Sequence, residues 1–329
     1  MDNRAGVIDH STSPPEGAAP RSVAKTWVVF VVVGLVLYCT LYAWSEYLIY
    51  QYGLKNRFFM VNTAPPVAYD YVILGASHAM PFDFADMNET LERASGAKII
   101  NLSIEGAGIL PNRLLLDYFF MRHDAKTVVY FVDSFAFYSE QWNEERINDA
   151  KLFERAPLDV DLLRVLWRYP WARPILPGYA SGFLKINNAD RFARDISDAE
   201  ATEFLRIYRP IPQIDRQRID YLYPATIDPV RFRHYLAEFE GLIRFAKQNS
   251  TNFIVIKPPT PARYRDNLPK EAEFDATLRS LLMRNDVPLY DLSETITDDR
   301  FFYDTDHLNR DGVMASIHGA LGDILRRNF

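Results

Sequence analysis

Short apolar runs alternate with longer amphipathic stretches over most of this chain, the pattern of a parallel sheet whose strands are joined by helices. Five runs read as strands: residues 71–74, 98–102, 127–132, 252–257 and 288–292. Residues 113–122, 229–248 and 270–285 carry helical periodicity, with Leu236, Phe239, Leu242, Ile243 and Ala246 on one face of the second. Asn309 and Asp311 read as the cap and first turn of a last helix, 310–325. Right-handed crossovers then put helices on both faces of the sheet.

Two regions break this rhythm. Residues 27–45 contain no charge, and the apolar run resumes after Glu46 through Tyr50. At 1.5 Å per residue that is enough to span a hydrocarbon core of ~30 Å, so a transmembrane helix with aromatic residues at its outer end is expected. The run is too long for a cleaved signal peptide, and no small-x-small site follows it. Arg21 and Lys25 precede the span more closely than Lys55 and Arg57 follow it, which predicts a cytoplasmic N-terminus and an extracytoplasmic domain at the inner membrane.

The second departure is residues 138–227, rich in Arg, Tyr, Trp and Pro and too long for a plain connection. An insertion there, after the third strand, overhangs one edge of the sheet. It is either a lid that selects a substrate, stacks sugar rings or rests on headgroups, or a small helical subdomain whose aromatics are its own core. The predicted organisation is therefore a disordered tail (1–26), a membrane helix (27–50), a linker (51–68) and one large α/β domain (69–329) carrying the insertion.

The charge balance is mildly acidic, 37 Lys and Arg against 43 Asp and Glu, which argues against a phosphate-tracking nucleic-acid binder. The only cysteine, Cys39, lies in the expected span, so no intrachain disulfide can form.

The candidate chemistry sits in three segments. In Gly75-Ala76-Ser77-His78, Gly75 lets the chain turn at the end of an apolar strand and present Ser77 at the sheet's C-terminal edge, where open α/β sheets bind ligands. A serine hydroxyl needs a base, and Asp304-Thr305-Asp306-His307 supplies one. His307 would take the proton of Ser77 and Asp304 would hold the other ring nitrogen. The third segment runs from Asn101 to Gly108, where Gly106 is a candidate oxyanion donor beside the Ser77 amide. His78 points away from the site if Ser77 points in, and reads as a packing or capping residue. Asp306 competes with Asp304 for the orienting role. Asp304, Asp306, His307 and His78 could together ligate a metal, but no familiar ligand spacing is present, so no metal or cofactor is expected.

Together the segments resemble the SGNH (GDSL-type) hydrolase superfamily over residues 69–329: Gly75-Ala76-Ser77 first, Asn101 to Gly106 second, Asp304 to His307 last. The resemblance implies a flavodoxin-like three-layer fold and a Ser-His-Asp triad. One block departs, since Val132-Asp133-Ser134-Phe135 stands where the family has a Gly-x-Asn-Asp whose asparagine completes the oxyanion hole. A carboxylate would repel an oxyanion, so Ser134, or a water, becomes the substitute donor, and Asp133 a strand-end acceptor or a substrate contact.

With the anchor, the likeness narrows to membrane-tethered proteins such as the D-alanyl transfer proteins of teichoic acid and the alginate O-acetylation proteins. It implies a membrane-bound O-acyltransferase as partner and a cell-envelope glycan or lipid as substrate. The expected function is a serine O-acyltransferase or esterase working through an acyl-enzyme. Two alternatives stand beside it: an inactive scaffold in a polysaccharide modification or export complex, and a membrane-associated lipase or lysophospholipase.

Overall fold

The structure, a computed structural model, describes residues 20–197 and 199–328. The chain divides into two compact units between Trp44 and Ser45. The described part of the first lies within helix α1 (Pro20–Tyr52), and Val23–Tyr52 is one helix long and apolar enough to cross a membrane. Residues 1–19 of the expected disordered tail lie outside the described residues, and residues 20–26 of it are helical.

The second unit is built on five strands, β1 (Tyr69–Gly75), β2 (Ile99–Asn101), β3 (Ala125–Phe131), β4 (Asn252–Lys257) and β5 (Leu289–Asp291). All four pairings are parallel and the order is β2-β1-β3-β4-β5, the flavodoxin-like doubly wound order. Among its helices are α2 (Arg57–Thr63), α3 (Met87–Ser95), α4 (Ile109–Phe120), then α5 (Val160–Arg168), α6 (Phe183–Ile186) and α7 (Pro212–Leu222) in the insertion, and α8 (Pro229–Gln248), α9 (Glu271–Arg284), α10 (Arg310–His318) and α11 (Ala320–Arg327).

Three layers follow from the pleat. Successive strand residues face opposite sides, so Val72, Leu74, Val128 and Tyr130 enter one core with α4, α8 and α9. Tyr71, Ile73, Val129 and Phe131 enter the other with α3, α10 and α11. The central strands are buried on both faces, as a parallel sheet requires.

Local departures from expectation have local causes. Residues 51–68, expected as a linker, hold α2, capped by Asn56 and buried through Phe58, Phe59 and Val61. Tyr235 joins the buried face of α8, and Leu236 packs against the same core half-buried. The last helix is two helices, because Gly319 breaks the run and lets α11 turn back over the end of α10. The insertion holds short helical segments and no strand among its described residues.

Candidate functional site

Gly75 ends β1 at φ 143°, and a Cβ there would lie 2.7 Å from the Phe131 carbonyl of the neighbouring strand. Only glycine allows this close approach, and it sends the chain into the turn that opens a 3₁₀ segment at Ser77. Asn101, at the end of β2, braces that segment through Nδ2 to the Ala79 carbonyl at 2.8 Å, while its Oδ1 accepts from the Ser103 amide and hydroxyl. The second-block asparagine is thus structural.

Across the sheet rim, His307 Nε2 lies 2.8 Å from Ser77 Oγ. On the other side of the ring, Nδ1 lies 2.8 and 3.0 Å from the two carboxylate oxygens of Asp304. The three-residue spacing is used twice, since Asp304 Oδ1 also accepts from the amides of Asp306 and His307, which fixes the turn and the ring together. Tyr303 stacks on the imidazole at 5.6 Å with nearly parallel planes. Asn309 then caps α10 by accepting from the Gly312 amide.

Ser77 and Gly106 face one cavity of about 290 Å³, with Trp142, Arg146, Arg218 and Tyr221 among its walls. Gly106 is left-handed at φ 60°, and a Cβ on it would meet the Trp142 ring at 2.8 Å. Its amide donates to no described residue. The insertion contributes Trp142, Arg146, Arg218 and Tyr221, so it is a wall of the site.

Ser134 does not belong to that cavity. Its hydroxyl donates to Glu271 at 2.5 Å and lies 2.7 Å from the Tyr223 hydroxyl, so its single proton is committed elsewhere. The expectation that Ser134 supplies an oxyanion contact is corrected on that ground. Burial pushes the Glu271 carboxyl up, and Lys257 and Ser134 oppose the rise.

Behind the triad is a charge network that sequence reasoning missed as a unit. His78 is buried, with Nδ1 2.7 Å from Asp133 and Nε2 3.3 Å from Asp306. Burial alone would lower its pKa, but Asp133 and then Asp306 raise it to about 10, so the ring is an imidazolium at neutral pH. Asp306 is wholly buried, 3.3 Å from Arg218 Nε and 3.4 Å from His307 Nδ1. Burial would raise its carboxyl, but Arg218, His307 and His78 hold it well below the usual range. Asp133 is the structural acceptor of this pair.

His78, Asp306 and His307 bring ligating atoms within 4.8 Å of one another. His78 stands between two carboxylates, and His307 between Ser77 and Asp304. Arg218 had no signal in sequence beyond its position in an Arg-rich insertion.

No family model matches the chain, and no curated protein matches it. Solved structures are similar to it. One assigned as an acylhydrolase, from Bacteroides fragilis, is 12% identical over 83% of this chain and 96% of its own, with a TM-score of 0.42. A GDSL-like lipase from Bacteroides thetaiotaomicron is 11% identical over 85% and 98%, at 0.41. One assigned as a platelet activating factor, from Streptococcus pneumonia, is 11% identical over 90% and 99%, also at 0.41. At that level of likeness, the reading of the site rests on its own geometry.

Proposed function

We propose that this chain is an SGNH-type serine esterase or O-acyltransferase, anchored in the inner membrane with its domain outside the cytoplasm. The observation that carries it is the continuous contact from Ser77 Oγ to His307 Nε2 and from Nδ1 to Asp304. His307 takes the Ser77 proton as the hydroxyl attacks an ester carbonyl, and Asp304 stabilises the imidazolium that forms. The oxyanion is met by the Ser77 and Gly106 amides. The leaving alcohol receives the proton from His307, leaving an acyl-enzyme. A glycan hydroxyl or water then attacks with His307 as base again, which restores Ser77.

The cavity favours small acyl groups on polar carriers over long lipid chains. Arg146, Asp149, Lys151 and Arg218 line it beside Trp142 and Tyr221, a mixture of charge and aromatic faces that suits a sugar ring. An envelope glycan is the acceptor class this supports, and a membrane-bound O-acyltransferase is a suitable donor partner because tethering raises effective concentration.

The test is turnover of p-nitrophenyl acetate by the full chain in detergent, with and without a serine-directed phosphonate. Turnover that disappears with labelling of Ser77, and falls as the acyl chain lengthens, is expected. No turnover and no labelling would leave a scaffold, and long-chain preference would leave a lipase.

A further inference from the structure

Helix α1 carries one acidic residue inside its apolar run, Glu46, and that residue is held by the insertion. Its carboxylate pairs with Lys185 of α6, whose side chain is fully buried, and accepts from the Leu158 amide at 3.1 Å. The Lys185 ammonium also lies over the Tyr179 ring. A turn later, the Tyr52 carbonyl accepts from the Asp195 amide at 2.9 Å. Ser45, Leu48 and Ile49 are buried by these contacts, while Tyr47 and Tyr50 on the opposite face remain about half exposed or more.

Exposed tyrosines at the end of an apolar helix mark headgroup level. Glu46 belongs to the same turn as Tyr47, so whatever touches Glu46 sits at that level too. Leu158 touches it directly, and Val160 and Phe183 lie within two residues of the two contacts. All three are large, apolar and well exposed. Val160 also shares an exposed face of α5 with Arg164 and Trp167, at the i, i+4, i+7 spacing of an interfacial helix. The neutralised, hydrogen-bonded Glu46–Lys185 pair can tolerate a low-dielectric setting that a lone charge could not.

We propose that Leu158, Val160 and Phe183 form an apolar rim that seats the insertion in the lipid headgroup region around the end of α1. The occupant is the bilayer itself, and the proposal rests on the membrane-anchor reading above. Lys55, Asn56 and Asp195 line a cavity of about 200 Å³ that shares Glu105 and Lys151 with the Ser77 cavity.

The experiment uses the full chain with Cys39→Ser, reconstituted in phosphatidylethanolamine–phosphatidylglycerol vesicles containing, in separate preparations, headgroup-region nitroxide lipids to read positions 160, 183 and 283 and acyl-chain nitroxide lipids to read position 35. An environment-sensitive fluorophore is attached to Val160→Cys, Phe183→Cys, Leu35→Cys or Met283→Cys in turn. Quenching at 160 and 183 is expected to exceed that at 283 by about threefold, as for side chains resting at the interface. Quenching at 35 but only the level of 283 at 160 and 183 overturns the rim and leaves the anchor. No quenching at 35 overturns both. Thermal melting checks each variant, and Leu158→Cys replaces any that melts early.

Discussion

Two histidines lie against each other at the sheet rim, ring centroids 4.9 Å apart and planes tilted by 32°, and their surroundings have opposite effects. His307 has a carboxylate on one nitrogen and a serine hydroxyl on the other, so one lone pair is directed at a group that can react. His78 has carboxylates on both nitrogens and no solvent, so it is a fixed cation. The same side chain is a base in one setting and a structural charge in the other. What differs is the second partner.

That contrast can be broken most severely at the reacting pair. Ser77→Ala and His307→Ala are each expected to lower kcat for ester turnover by about 10⁴-fold or more with melting nearly unchanged, as in acyl-transfer triads. Steady-state kinetics beside thermal melting checks this, and a tenfold loss or less would remove the triad from the account.

His78→Ala should act the other way, costing about 3–5 kcal/mol of stability because Asp133 is left buried without a cation and Asp306 loses one of the cations that face it. Denaturant unfolding measures it. A variant that kept its stability and lost only turnover would exchange the roles of the two rings.

The same imidazolium makes stability depend on pH. A histidine raised from 6.5 to about 10 on folding contributes in full below pH 6.5, loses that contribution progressively above it, and contributes nothing above pH 10. The gap in unfolding free energy between the wild-type chain and His78→Ala should therefore shrink between pH 7 and pH 10. A constant gap would mean that the ring is neutral in the fold.

Arg218→Met removes the other cation on Asp306 and is expected to cost about 2 kcal/mol, with roughly a tenfold fall in kcat/KM from the altered cavity. Arg218→Lys should recover part of the stability. The smallest effect belongs to Ser134→Ala: about 1 kcal/mol for its bonds to Glu271 and Tyr223, and turnover within twofold. A large loss of kcat there would restore Ser134 to the oxyanion site.

Much of the frame was legible along the chain because it depends on local pattern. The apolar runs that became β1, β3 and β4 sit within two residues of their expected bounds, since burial on both faces leaves an unmistakable apolar stretch. Helix α3 was missed, because Met87, Thr90, Leu91 and Ser95 make a weak buried stripe with only two large apolar residues. Helix α2 leaves a similarly weak local signal, being seven residues long and held by tertiary contacts.

The amino-acid sequence by itself determined which groups stand at the ends of strands: glycine where β1 must pass Phe131, serine after it, and a carboxylate three residues before an imidazole. These are short-range facts, set by backbone conformation and side-chain reach. Tertiary structure alone decided that Ser134 bonds to Glu271, that Asp306 lies between His78 and Arg218, and that Glu46 meets Lys185. Such pairings join residues far apart in the chain, and which charges share a buried space depends on how distant elements pack, which no local pattern encodes.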